Sequence, residues 1–111
     1  MKAIIRPAAR DDIIRQFRYY LVSQDKPEVA GRFLSAVRST MERIIRTPQV
    51  GSPKHFSREG LRGLRSWPVR GFEDLRVYCL AGKDWVEVIR VLHGKRDITK
   101  ILEKESDEAP Q

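Results

Sequence analysis

Between Val86 and Ile98 the chain reads VEVIRVLHGKRDI, and four residues in or just before its last turn could do chemistry: Arg90, His93, Lys95 and Arg96. An imidazole titrates near neutrality and can move a proton when partners hold it against a substrate. Guanidinium and ammonium groups beside it would stabilise negative charge developing on a phosphate. The string also has a plain structural reading. Its first half is apolar and β-branched, as in a strand, and His93 then hydrogen-bonds the strand exit. Gly94 allows a turn that a side chain would hinder, and Lys95 and Arg96 are solvated. Arg62, Arg65 and Arg76 lie on or near two preceding strand-like runs. On neighbouring strands of matching parity, they and Arg90 would line one sheet face. Such a basic groove suits RNA, DNA or an acidic peptide. The alternative is scattered charge paired with Glu73, Asp74 and Glu87.

Other chemistries find little support. Two histidines and one cysteine without paired spacing make no metal set. There is no glycine-rich phosphate loop and no nucleophile elbow, so neither a metal nor a cofactor is expected. Cys79, inside the apolar run VYCLA, reads as a buried, inert thiol. Trp67 and Trp85 either pack in strands or stack bases. Lys54 and His55 sit in a long loop with no nucleophile to pair with. No run approaches the ~20 apolar residues that span a bilayer, and the N-terminus lacks a secretory apolar region. The expectation is a soluble, cytoplasmic protein with no membrane partner.

The chain of 111 residues carries a formal charge of +7, and arginine supplies 15 of its 22 basic residues. Residues 1–100 hold 21 basic and 11 acidic groups, net +10, while residues 101–111 hold one lysine and four acids. A basic body favours polyanions or acidic protein partners, and arginine suits forked pairing with carboxylate and phosphate.

The positioning elements follow from periodicity. KAIIR, residues 2–6, is a strand. Ile13, Phe17, Tyr20 and Leu21 mark an amphipathic helix over 8–23. Pro27 and Glu28 open a second helix over 27–46, with Ala30, Phe33, Val37, Met41 and Ile44 as its stripe and Leu34 and Ile45 widening it. The short link makes a helical hairpin. A loop over 47–63 precedes strands at 64–69, 73–81 and 85–93, the last two joined by the short turn GKD. Pro68 marks the first of these as an edge strand. Asp97 caps a last helical turn, ITKIL. The order β-α-α-β-β-β-α predicts an α+β fold, a helical hairpin on one face of a mostly antiparallel sheet. Residues 1–102 form one domain and 103–111 an acidic, flexible tail.

The strings PAARDDI, PEVAGRFLSAVRSTMERI, PQVGSP, GLRSWPV and VEVIRVLHGKRDI, in this order from Ile4 to Leu102, resemble the RelE/ParE superfamily of bacterial type II toxins. The resemblance is to the ParE branch above all. It implies a growth-arresting toxin neutralised by a cognate, ParD-like antitoxin with an acidic C-terminal segment. Operator DNA would be bound only through the antitoxin. ParE-type toxins inhibit DNA gyrase and so DNA replication; RelE-type toxins are metal-independent endoribonucleases that cut messenger RNA on the ribosome. RelE resembles a lysine/arginine set with a tyrosine near the C-terminus, and here no tyrosine follows Tyr78. His93, with Lys95 and Arg90, keeps the ribonuclease alternative open, whereas a gyrase inhibitor needs no catalytic residue. Under either reading Arg62, Arg65, Arg76, Arg90, His93, Lys95 and Arg96 are candidate contacts for target or antitoxin, on the open sheet face and at the strand's C-terminal end. A non-toxic basic nucleic-acid-binding module is the third reading.

Overall fold

The computed structural model describes residues 2–54 and 61–108; His55 and residues 109–111 of the tail lie outside them. The elements are β1 (Lys2–Ile5), α1 (Pro7–Arg18), a π-helical turn (Tyr19–Ser23), α2 (Pro27–Arg46), β2 (Ser52–Pro53), β3 (Arg65–Val69), β4 (Phe72–Ala81), β5 (Trp85–His93) and α3 (Ile98–Glu108). The strands form one sheet in the order β1-β5-β4-β3-β2. β1 pairs in parallel with β5, and the other pairs are antiparallel. The fold is the expected α+β arrangement with a helical hairpin on a mostly antiparallel sheet.

Both helices of the hairpin start on a proline, whose fixed φ and missing N–H suit a first helical position. Phe33, Val37 and Ile44 of α2 pack with Ala9 of α1 onto Val77, Val88 and Val91 of the sheet. The first helix does not end as a regular α-helix. Gln24 N–H reaches back to the Tyr19 carbonyl at 3.0 Å, five residues away. Tyr20, in this widened turn, has its ring 5.5 Å from that of Phe33 and 5.6 Å from that of Phe72.

The sheet face away from the hairpin, expected from the sequence to be open, is covered. Tyr78, Leu80, Ile89 and Leu92 form a second core there with Leu61, Leu64, Ile98 and Leu102. β4 and β5 carry apolar residues on both faces, the pattern of strands covered twice. The covering comes from Leu61 and Leu64 before β3 and from α3, which runs to Glu108 and is longer than the single turn expected.

β3 is not the outermost strand, because the two-residue β2 lies beyond it. That strand pairs only with Arg65 and Ser66, so Pro68 still sits where no neighbour needs its missing N–H. The register shifts between Pro68 and Val69 and between Tyr78 and Cys79. The second bulge reverses the parity of β5. Val86 and Val88 face the hairpin in its first half, and Val91 does so in its second.

Candidate functional site

β1 stops at Ile5, opposite Val88, so the second half of β5 has no strand on that side. α1 places Asp12 there. Its carboxylate accepts the Val91 N–H at 3.0 Å and the Arg90 Nε and Nη2 at 2.7 and 2.8 Å. Arg15 adds a looser contact at 3.5 Å. The side chains are 2% (Asp12) and 12% (Arg90) exposed. Forked pairing of this kind is among the strongest ionic geometries. Arg90 is therefore engaged in the fold: it neutralises a buried carboxylate that supplies the hydrogen bond β1 does not reach.

His93 lies across from Leu75. Its Nδ1 accepts the Lys95 N–H at 3.2 Å, and its carbonyl accepts the Arg96 N–H at 3.0 Å. This is the strand-exit role, and it places the proton of a neutral ring on Nε2. A cleft of about 510 Å³ beside it is lined by Tyr20, Phe72, Glu73 and Asp74. Two acidic residues, Glu73 and Asp74, thus line the cleft at His93. The side chains of Lys95 and Arg96 are exposed beyond the turn. Gly94 does not take a left-handed φ. A Cβ there would press on Arg76 Cγ at 3.3 Å, so its smallness relieves mild crowding and serves no special turn.

The other arginines do not share one face. Arg65 pairs with Cys79 on the hairpin side and donates to the Gly51 carbonyl at 2.7 Å. Arg76 lies opposite Pro68 and donates to Ser66 Oγ at 2.8 Å, on the other side. Arg62 is exposed before β3. Among the described residues, Glu73, Asp74 and Glu87 form no ion pair with these three arginines. Glu87 pairs with Arg6 at 3.2 Å, and Glu73 accepts the Gly71 N–H. Among the described residues, the continuous basic groove considered from sequence does not form.

Trp67 is 2% exposed and packs in the core. Its indole N–H has no well-placed acceptor among the described residues; its neighbour is the Cys79 thiol, a weak one. Burial pushes that thiol up to about 11, only partly offset by Trp67 and the Arg65 charge. Trp85 is 40% exposed. Among the described residues no group of three or more His, Cys, Asp or Glu is placed to hold a metal.

On the hairpin side, α2, α1 and β1 enclose an apolar groove of about 430 Å³. Ile5, Ile13, Leu34, Met41, Ile45 and Val86 line it, with Arg38 and Glu42 also at its wall. Ile5 and Leu34 are each about two-fifths exposed there, and β1 is an outer strand of the sheet.

With this geometry in place, the comparisons with known proteins are specific. The model of a family described as "ParE toxin of type II toxin-antitoxin system, parDE" matches residues 3–98. This chain belongs to the ParE toxin family. No curated protein sequence matches it. A solved structure described as the "Chromosomal ParDE TA system from P. aeruginosa" superposes with a TM-score of 0.66 at 13% identity, covering 84% of this chain and 95% of the other. At that identity the likeness speaks for the fold.

Two features of this ParE toxin escaped the reading of its sequence. Asp12 falls on the apolar stripe of α1 between Ala9 and Ile13, and a carboxylate on a buried stripe was the available signal that it had a partner. The groove had a fainter signal. Leu34 and Ile45 widened the stripe of α2 beyond what one sheet face can cover.

Proposed function

We propose that this type II toxin inhibits DNA gyrase in the cytoplasm, blocking DNA replication, and that a cognate antitoxin keeps it silent. The observation that carries the choice of target is that, among the described residues, the cleft at His93 is lined by two acidic residues and by no cation. Cleavage of RNA by its own 2′-hydroxyl concentrates negative charge on a phosphate and needs cations around it. Here Glu73 and Asp74 line the cleft at His93, Arg90 is held by Asp12, and Arg76 is turned to Ser66. An RNA phosphate would meet repulsion where a ribonuclease needs attraction. A gyrase inhibitor needs no such cleft.

The apolar groove between α1, α2 and β1 supports the antitoxin part of the reading. An antitoxin segment that places apolar side chains in it and lies along the outer edge of β1 would use two recurrent modes of peptide recognition. The acidic character expected of that segment then acts through the basic body as a whole, since the groove wall itself holds one arginine and one glutamate. Operator DNA would be reached through the antitoxin.

The test is direct. Purified toxin should block supercoiling by gyrase or trap cleaved DNA, and toxin carrying His93→Gln should do so equally, because no proton has to move. In a ribonuclease the same change would cost about 10²–10⁴ in rate. Cleavage of messenger RNA on ribosomes with gyrase untouched would establish the ribonuclease reading instead. A protein that binds nucleic acid but neither arrests growth nor acts on either target would establish the third.

A further inference from the structure

α2 carries two serines whose hydroxyls are uncommitted. A serine or threonine inside a helix commonly bonds back to the carbonyl four residues earlier. Thr40 does this, donating to the Ala36 carbonyl at 2.8 Å. Ser35 and Ser39, on the same stretch of helix, have no hydrogen-bond partner among the described residues. They line a cleft of about 480 Å³ between α2 and the β3–β4 turn, together with Arg32 and Arg70. No ion pair holds either arginine among the described residues, and no carboxylate lines the cleft.

The cleft is built rather than incidental. Thr40 is fully buried, and its hydroxyl accepts the Arg70 N–H at 3.3 Å, which pins the turn to the helix. Gly71 takes φ +84°, the conformation the third position of a type II turn reserves for glycine. Its N–H is bonded to Glu73. The backbone donors of the turn are thus satisfied, while two guanidinium groups and two hydroxyls remain. That is a donor set for a tetrahedral oxyanion.

We infer that this cleft binds a backbone phosphate of nucleic acid. Arg32, Ser35 and Arg70 are exposed, so the cleft lies open, whereas a site for a small metabolite encloses most of its ligand. An open site suits a phosphate carried on a polymer whose further charges meet the basic body, net +10 over residues 1–100. This goes beyond the gyrase reading and does not depend on it.

The probe is a fluorescein-labelled 20-base-pair DNA duplex, with anisotropy measured against the whole toxin across a salt series. Arg32→Gln and Arg70→Gln should each lower the slope of log affinity against log salt by about 0.9. Arg46→Gln, at the exposed end of the same helix, should leave it unchanged. Ser35→Asp puts a negative charge into the cleft without removing an arginine and should weaken binding about tenfold. Unaltered thermal unfolding of the same samples certifies the fold. If the three arginine variants share one slope, binding is diffuse and the site is overturned. If inorganic phosphate shifts the Ser39 and Arg70 amide resonances while the variants keep the full duplex slope, the cleft takes a free anion and the nucleic-acid assignment is overturned.

Discussion

Replacing Asp12 by asparagine keeps the side chain's shape and removes the charge to which the Arg90 fork is bonded. Both groups are largely buried, so the loss leaves charge in a poorly solvated place, and such losses cost about 3–5 kcal/mol. The Arg6–Glu87 pair, with side chains 38% and 24% exposed, is the control; Glu87→Gln should cost about 1 kcal/mol or less. Urea midpoints at unchanged m-value would measure both, and similar costs for the two would mean that Asp12 is no special fastening. Cys79 adds a pH dependence of known sign. Burial raises its thiol from the ordinary 9.0 to about 11. Below pH 9 the thiol is protonated in both states and its contribution is complete. Between 9 and 11 the unfolded chain loses the proton while the folded chain keeps it, so stability falls as pH rises, by about 2 kcal/mol across the window. Cys79→Ala should flatten that part of the stability curve relative to the parent, and an unchanged slope would remove the thiol from the account.

At the scale of elements, two glycines let a turn approach an indole, with unequal consequences. A Cβ at Gly51 would lie 2.3 Å from the Trp67 ring, and one at Gly82 2.2 Å from the Trp85 ring. Trp67 is 2% exposed under α2, with Arg43 5.8 Å from its ring centre. It cannot move without disturbing the core. Trp85 is 40% exposed and can swing into solvent. Gly51→Ala should therefore cost about 1–3 kcal/mol, as overpacking does, and Gly82→Ala less than about 1. Thermal unfolding of the two variants would show the order, and the reverse order would mean that the Trp67 site relaxes more easily than its burial implies.

At the scale of the molecule, charge and apolar surface divide the work of recognition. On the proposed reading, the basic body would attract an acidic antitoxin segment over distance, and the groove beside β1 would anchor it after contact. The association rate should fall as salt rises, because the Debye length shrinks from about 10 Å at 0.1 M to about 3 Å at 1 M. Leu34→Glu, at a partly exposed groove position, should act mainly on the dissociation rate. Stopped-flow mixing separates the two rates, and an association rate indifferent to salt would leave the groove as the sole source of affinity.

The sequence by itself determined most of the elements, though not the short β2 or the full length of α3. Pro27 and Glu28 open α2 and the apolar stripe carries it to Arg46, the span observed; β5 likewise runs from Trp85 to His93. Helical and strand periods are local properties, readable within a dozen residues. The burial of Cys79 followed from its apolar neighbours for the same reason. What only the tertiary structure decided is which side each charged residue faces. Arg65 and Arg76 part company because pairing register sets their faces, and Arg90 follows a bulge between Tyr78 and Cys79 that no local pattern announces. Asp12 meets Arg90 across 78 residues of chain, after β1 ends too early to do so. Strand parity fixes a face only once register is known, and register is a property of two strands together.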